Sequence, residues 1–214
     1  MFIQGAWTEA ASGKTFSVVN PATGETIKEV PDGDREAARR AIDAAHGAFR
    51  DWAGTTAYHR AEVLRRAYDL MIERKEHLAR TMTEEQGKPL RAARTEVQYG
   101  ADFLLWFSEE AKRNYGETIP SPRADQRFIV LHQPVGVVAA ITPWNYPVSM
   151  ITRKVGPALA AGCTVVLKPA EATPLCAIEV FKILTEAGVP DGVINLVTAL
   201  DPKPIGEEFT TNPK

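Results

Sequence analysis

Asn145 lies in a six-residue loop of unusual composition, Thr142–Pro147, which contains two prolines, two aromatic residues and one asparagine. The side-chain amide of asparagine is a neutral double donor, and such a group suits a negative charge that develops on a carbonyl oxygen during a reaction. Asparagine is also a common turn residue that bonds its own backbone. The residues alone leave both interpretations open.

A second short loop, Lys168-Pro169-Ala170-Glu171, places a cation and a carboxylate directly after an apolar run. A carboxylate in this position can accept hydrogen bonds from ribose hydroxyls, as acidic residues do in dinucleotide sites, and the ammonium can reach ribose or phosphate. The alternative is a solvated ion pair at the start of a helix, where Glu171 would also suit the helix dipole.

Arg153 follows the asparagine loop, within a segment that is otherwise mostly apolar. An arginine that faces a site from such a helix can bind a carboxylate through two parallel hydrogen bonds. The alternative is an arginine that extends its charged end to solvent or pairs with a carboxylate of the same chain.

The sequence lacks the motifs of several common kinds of site. Neither glycine-rich phosphate loop, G-x-G-x-x-G or G-x-x-x-x-G-K-[ST], is present. Cys163 and Cys176 lie among apolar residues and are interpreted as small core residues. No metal site is predicted, because the four histidines are scattered along the chain without ligand spacing: His46, His59, His77 and His132.

The elements that position these residues follow from hydrophobic periodicity. Two β-branched runs, Val135–Ile141 and Thr164–Leu167, flank a helical pattern over Pro147–Ala161, which is the order of a βαβ unit. This unit is followed by a predicted helix with Thr173 as N-cap and by a predicted strand at Val193–Val197. The predicted order is therefore β-α-β-α-β. Ligands bind beyond the carboxyl ends of such strands, so the loops that carry Asn145 and Lys168 are expected to lie side by side.

The residues before this unit predict two short strands and three helices. Asp34 is expected to cap the first helix, a second helix runs from Thr55 or Thr56 to Gly87, and a loop covers Tyr115–Pro122. Arg127–Gln133 reads as a strand of an outlying hairpin.

Three segments follow from this reading: 1–120 with the N-terminal strands and helices, 121–134 as a possible oligomerisation strand, and 135–214 as the first half of a parallel sheet. A sheet that stops at three strands leaves an edge uncovered. The chain is therefore interpreted as the front part of a longer protein.

The composition is that of an ordinary globular protein, with 214 residues, 44% hydrophobic residues and 24% charged residues. A net charge of -2 gives no basic surplus for nucleic acid or for a membrane surface, so neither is an expected partner. No apolar run has the length of a membrane span, and the first residues do not form a secretory signal. With only two cysteines, the expected compartment is the reducing cytoplasm.

Three separated blocks resemble the aldehyde dehydrogenase superfamily: Ile141–Pro147, Gly156–Thr164 and Lys168–Glu171. The resemblance extends to Asn20–Gly24, Glu85–Pro89 and Val193–Val197. Two further segments, Trp106–Lys112 and Met150–Lys154, are more similar to the succinate-semialdehyde dehydrogenase branch. The implied fold is α/β, with N-terminal helices and short strands and an incomplete Rossmann-like parallel sheet that stops before the catalytic domain.

The resemblance implies NAD(P)-dependent oxidation of an aldehyde to a carboxylic acid, through attack by a cysteine thiolate. It assigns oxyanion stabilisation to Asn145 and the distal carboxylate of the substrate to Arg153. Thr142, Pro143 and Trp144 match the loop that lines the cofactor. The block Lys168-Pro169-Ala170-Glu171 matches the grip on the adenosine ribose, and Glu171 would repel a 2′-phosphate, so NAD is favoured over NADP. Lys154 matches a lysine near the site whose role stays open.

The nucleophilic cysteine, the general-base glutamate and the Gly-Ser-Thr loop of the superfamily have no counterpart in this chain, and neither Cys163 nor Cys176 matches the nucleophile. We therefore expect the chain alone to be inactive and the parent protein to be a homo-oligomer, a dimer or a tetramer. The alternative is a non-catalytic nucleotide-binding or subunit-interaction module. For the parent, the resemblance implies succinate semialdehyde or a similar semialdehyde as the substrate, and glutarate semialdehyde is the alternative.

Overall fold

A computed structural model describes all residues from 1 to 214 as nine strands, seven α-helices and one short 3₁₀ helix at Ala111–Arg113. The strands are β1 Phe2–Ile3, β2 Ala6–Trp7, β3 Thr15–Val19, β4 Thr26–Pro31, β5 Glu117–Ile119, β6 Phe128–Val130, β7 Val137–Ile141, β8 Thr164–Lys168 and β9 Ile194–Leu196. The helices are α1 Arg35–Ala53, α2 Ala57–Glu73, α3 Lys75–Gln86, α4 Leu90–Glu110, α5 Ser149–Ala161, α6 Pro174–Glu186 and α7 Lys203–Thr211.

The α/β fold and the β-α-β-α-β order of the last part are confirmed. Strands β7, β8 and β9 run parallel, with β8 in the middle, and α5 and α6 connect them. Every residue of β8 is buried. Its side chains alternate between two cores, because Val165 and Leu167 join the larger apolar cluster while Val166 joins the smaller one. A strand covered on both faces needs an apolar sequence at its centre, which Val165–Leu167 provides in β8.

The sheet has five strands rather than three, in the order β2-β1-β9-β8-β7. Strand β1 pairs antiparallel with β9 through Phe2 and Leu196, and the Gln4 N–H donates to the Asn195 side-chain oxygen at 3.0 Å. The expectation of an uncovered edge was therefore wrong at β9 and holds at β7, which has no neighbour on its outer side. Two-residue strands such as β1 and β2 are too short to show an alternating pattern, so the sequence did not reveal them.

Helices cover both faces of the sheet. Helix α1 packs against β7, β8 and β9 and is joined there by α7, whereas α5 and α6 cover the opposite face. Helices α2, α3 and α4 form a further layer against α5 and α6. The larger apolar cluster of 41 buried residues fills the space between these helices and the sheet. No helix is both long enough and apolar enough to cross a lipid bilayer.

Several local predictions can be compared with the observed elements. Asp34 is the N-cap of α1, as predicted, and its carboxylate accepts from the Ala37 N–H at 2.9 Å. Gly87 ends α3 in the left-handed region with φ of 77°. The single helix predicted up to Gly87 is interrupted at Arg74, which separates α2 from α3. The predicted loop at Tyr115–Pro122 was wrong in part, because it contains strand β5.

Strand β6 lies within the predicted segment Arg127–Gln133 and pairs only with β5, in a separate two-stranded hairpin. The division of the chain into segments 1–120, 121–134 and 135–214 stays a prediction.

Candidate functional site

The loops that follow β7 and β8 begin side by side. Ile141 is the register partner of Lys168, and the Thr142 N–H donates to the Lys168 carbonyl oxygen at 3.1 Å. The parallel pairing therefore continues one residue beyond β7 and places the asparagine loop against the Lys168–Glu171 loop, as the sequence predicted.

Asn145 is exposed, and its side-chain amide makes no hydrogen bond within the chain, whereas its backbone is firmly held. The Asn145 carbonyl oxygen accepts from Gln86 Nε2 at 2.9 Å and from Lys88 Nζ at 2.8 Å. Gln86 Nε2 also donates to the Trp144 carbonyl oxygen at 2.9 Å. The interpretation of Asn145 as a self-bonded turn residue is wrong, because that role requires its side chain to bond nearby backbone. The amide is free to donate outward from a fixed backbone.

A buried carboxylate on α4 fixes the other end of this loop. Glu96 accepts from the backbone N–H groups of Val148 at 3.0 Å and Ser149 at 3.3 Å, and it pairs with the ammonium of Lys88. The first turn of α5 thus gains an acceptor for N–H groups that have no partner within the helix. Sequence reasoning missed Glu96, although it lies on the buried face of α4 between Ala93 and Gly100. A glutamate on an apolar helix face is a signal that could have identified it.

Lys168 and Glu171 form a close pair, with 3.0 Å between Nζ and Oε2. The Lys168 side chain is only 3% exposed, whereas that of Glu171 is 45% exposed. Partial burial by itself would raise the pKa of Glu171, but hydrogen bonds from its own backbone and from Lys168 outweigh it, so the pKa is lowered. The interpretation of Lys168 and Glu171 as a solvated ion pair is therefore wrong, because the Lys168 ammonium is buried and only the Glu171 carboxylate faces outward.

Glu85 performs the capping role that the sequence assigned to Thr173. Its carboxylate accepts from the Leu175 N–H at 2.7 Å and the Cys176 N–H at 2.8 Å, at the start of α6. Thr173 makes no capping bond, and its hydroxyl is buried without a partner. Burial raises the pKa of Glu85 to about 7, against the opposing effect of the hydrogen bonds from Cys176 and Leu175.

Three of the predicted site residues, Trp144, Glu171 and Arg153, line grooves, and Asn145 lies at the surface outside the lining of both. Trp144 and Glu171 share a groove of about 370 Å³ with Gln86 and Thr173. Thr142, Lys168, Pro169 and Ala170 are buried at the strand ends behind it, and Pro143 is exposed.

Arg153 and Tyr146 line the second groove, of about 750 Å³. Arg153 forms no salt bridge, so the paired interpretation was wrong; its guanidinium lies over the Phe103 ring, 5.9 Å from the ring centre.

Neither cysteine lies at these grooves. Cys163 and Cys176 are free thiols and are buried, as predicted. Burial, together with the adjacent Glu85 carboxylate, raises the pKa of the Cys176 thiol well above its usual value, which suppresses the nucleophilic thiolate. No group of three or more histidine, cysteine, aspartate or glutamate side chains comes close enough together to hold a metal ion.

Comparison with known proteins identifies relatives of this chain. Residues 7–214 match the model of the aldehyde dehydrogenase family. A glutarate-semialdehyde dehydrogenase of Pseudomonas aeruginosa is 54% identical over 212 residues, which cover 99% of this chain and 44% of that protein. A succinate-semialdehyde dehydrogenase of Escherichia coli, named for NADP(+), is 52% identical over 211 residues, with the same coverage of both chains.

Solved structures agree with the sequence relatives. The structure of an E. coli NADP-dependent enzyme superimposes with a TM-score of 0.98 at 51% identity, over 99% of this chain and 44% of that chain. A betaine aldehyde dehydrogenase from Staphylococcus aureus in complex with NAD+ gives a TM-score of 0.95 at 38% identity, over 99% and 42%. The chain spans less than half the length of the relatives it matches. By sequence and by fold, the chain belongs to the aldehyde dehydrogenase family.

Proposed function

We propose that this chain is the oxyanion-stabilising and cofactor-holding part of an NAD-dependent semialdehyde dehydrogenase, an oxidoreductase that converts an aldehyde to a carboxylic acid. The observation that carries the proposal is the state of Asn145. Its amide has no partner within the chain, while Gln86 and Lys88 fix its carbonyl oxygen. A donor held in place before the reaction needs no reorganisation when charge develops.

Attack of a nucleophile on an aldehyde carbon moves negative charge to the carbonyl oxygen. The Asn145 amide donates a hydrogen bond to that oxygen and stabilises it. Removal of one such donor typically slows the chemical step by about 10²–10³-fold. The nucleophile itself does not come from this chain, because Cys163 and Cys176 are both buried away from the grooves. We therefore propose that the 214 residues alone do not turn over an aldehyde.

The residues present fit a nicotinamide dinucleotide. The outward-facing Glu171 carboxylate is ionised at neutral pH, since its pKa is lowered, and it can accept from the two hydroxyls of a ribose. Lys168 orients this carboxylate from its buried position, and Trp144 lines the same groove. A bound nicotinamide supplies the acceptor for the hydride of the aldehyde.

NAD is the proposed cofactor, with NADP second, because an ionised Glu171 repels a 2′-phosphate. The E. coli relative is named for NADP(+), so the family alone does not decide between the two dinucleotides.

For the substrate we propose an aldehyde with a distal carboxylate, held by the unpaired Arg153 guanidinium. Relatives named for glutarate semialdehyde and for succinate semialdehyde support this class. Both chain lengths fall within the proposal.

Two measurements on the 214-residue chain test these statements. In calorimetric titration we expect NAD to bind, and to bind less tightly after Glu171→Ala; absence of binding heat to a chain that melts cooperatively would remove the cofactor proposal. In an assay of NAD reduction with succinate semialdehyde we expect no turnover. Turnover above background that disappears in Asn145→Ala would contradict the proposal that the chain alone is inactive.

A second candidate function is a subunit-interaction module, and the β5–β6 hairpin favours it. Ile129 in β6 and Leu131 directly after β6 are 68% and 73% exposed, and the hairpin pairs with no other strand of the chain. We propose that this hairpin joins subunits of a homo-oligomer, a dimer or a tetramer. Sedimentation of the chain and of Ile129→Lys tests it, and a monomeric wild-type chain would rule it out for these residues. The two free thiols fit a protein of the reducing cytoplasm.

A further inference from the structure

The larger groove lies between α4 and α5. From α4 it is lined by Arg91, Thr95 and Tyr99, and from α5 by Met150 and Arg153. The three α4 residues are spaced by four, which places them on one face of the helix. Arg91 therefore lies on the same wall as Thr95 and Tyr99, and it faces the same space as Arg153.

The groove has a surplus of positive charge. Its lining contains three cations, Lys88, Arg91 and Arg153, and one carboxylate, Glu96. The carboxylate is paired with Lys88 and also accepts the backbone N–H groups of α5, so it does not neutralise the arginines. Two guanidinium groups are left without a counter-ion.

Another arginine on α4, Arg94, forms an ion pair with a carboxylate of this chain, and it provides a comparison for Arg91. Arg94 binds Glu76 through two hydrogen bonds of 2.7 and 2.9 Å on the outer surface. Arg91, one turn earlier, donates no side-chain hydrogen bond and forms no salt bridge, although it lines a groove of about 750 Å³. Like charges that share a groove repel each other, and an anion between them relieves that repulsion.

We propose that Arg91 is a second anion-binding residue of this groove, which with Arg153 binds the distal oxyanion of the substrate from the opposite helix. The inference rests on the proposed function and extends it to a residue that no sequence pattern singled out. Each guanidinium group carries several N–H donors. Arg91 and Arg153 can therefore each donate to a different oxygen of the same carboxylate. The preferred substrates are then aldehydes whose far end is a carboxylate or a sulfonate, and uncharged aldehydes lose both contacts.

Titration of the 214-residue chain with pentanoate, 1-pentanesulfonate and the neutral pentanamide tests the proposal. Amide NMR shifts of the groove residues report binding. We expect both anions to bind and pentanamide to bind more weakly than either. Arg91→Gln and Arg153→Gln should each weaken pentanoate binding by about tenfold, as expected for the loss of one charge-assisted contact. Arg91→Lys should restore part of the loss, since it retains the charge without the planar fork.

Arg50→Gln is the matched control, because Arg50 is also exposed and unpaired but lines none of the grooves described here. It should bind pentanoate as the wild type does. Wild-type affinity in Arg91→Gln would overturn the proposal and leave Arg153 as a single anchor, and absence of anion binding in every form would also overturn it. NAD titration of the same variants separates this result from the cofactor proposal, because Arg91→Gln should bind NAD as the wild type does.

Discussion

The Glu85 carboxylate accepts a hydrogen bond of 2.8 Å from the backbone N–H of Cys176, a residue 91 positions later in the chain. Three residues beyond Glu85, Lys88 holds the carbonyl oxygen of Asn145. One short segment at the C-terminal end of α3, from Glu85 to Lys88, therefore fixes the start of α6 on one side and the asparagine loop on the other. The asparagine loop and the start of the helix that follows the Lys168–Glu171 loop therefore depend on the same segment.

The first prediction concerns the pH dependence of stability. The pKa of Glu85 is about 7 in the folded chain, above its ordinary value of 4.5, so the folded state binds the proton more tightly than the unfolded state. Because of this sign, the stability contributed by Glu85 is complete at acidic pH and is lost as the pH rises through about 7. The loss amounts to about 3 kcal/mol in the free energy of unfolding. Glu85→Gln should remove this dependence, measured by urea unfolding from about pH 5 to about pH 8.

Glu84→Gln provides the control for this experiment, because Glu84 precedes Glu85 in the same helix turn and is exposed. Its unfolding free energy should follow the wild-type curve. An unchanged slope in Glu85→Gln would mean that other groups, and not Glu85, determine the pH dependence in this range.

The second prediction concerns the buried pair of Glu96 and Lys88. Glu96→Gln keeps an oxygen acceptor for Val148 but removes the carboxylate that pairs with the largely buried Lys88 ammonium, which then has only the Asn145 carbonyl oxygen as an acceptor. Removal of one member of a buried ion pair costs about 3 kcal/mol. Amide hydrogen exchange of residues 142–150 should also become faster, since the loop loses its support.

Glu109→Gln is the matched change for this pair, because Glu109 also belongs to α4 and forms a more exposed pair with Lys112 of the following 3₁₀ helix. It should cost less than about 1 kcal/mol. Equal losses in the two variants would contradict a special role for Glu96.

The third prediction separates function from stability at Asn145. Its side chain is exposed and makes no hydrogen bond within the chain, so Asn145→Ala should change the free energy of unfolding by no more than about 0.5 kcal/mol. Chemical denaturation of the purified chain measures this. A loss of about 2 kcal/mol would show that the amide supports the loop, and the free donor would no longer be an argument for catalysis.

The parts of the fold that could be predicted from the sequence are those that follow from patterns among neighbouring residues. The apolar run of β8, the periodic faces of the helices and the Asp34 cap each express their structure within a few residues. The adjacency of the loops that follow β7 and β8 followed from these, because parallel strands bring their carboxyl ends to one edge.

Long-range partners were not predictable in the same way. Glu85 replaces Thr173 as the cap of α6 from another helix, and β1 joins the sheet at β9 although it has only two residues. In both cases the local sequence pattern is too short or too common to be diagnostic, and a tertiary contact determines the structure. The same holds for Glu96, whose backbone N–H donors lie 52 and 53 residues away.

The fourth prediction concerns the choice of dinucleotide. The Glu171 carboxylate is ionised and directed outward by the buried Lys168, so it attracts ribose hydroxyls and repels a 2′-phosphate. Glu171→Gln retains the size and one acceptor but removes the charge. We expect the ratio of NAD affinity to NADP affinity to fall by about tenfold, which corresponds to about 1.4 kcal/mol. Titration calorimetry with both dinucleotides measures this ratio, and Glu62→Gln on the exposed face of α2 should leave it unchanged. If the ratio is the same in Glu171→Gln and in the wild type, discrimination must arise elsewhere, and the preference for NAD would lose its physical basis in this loop.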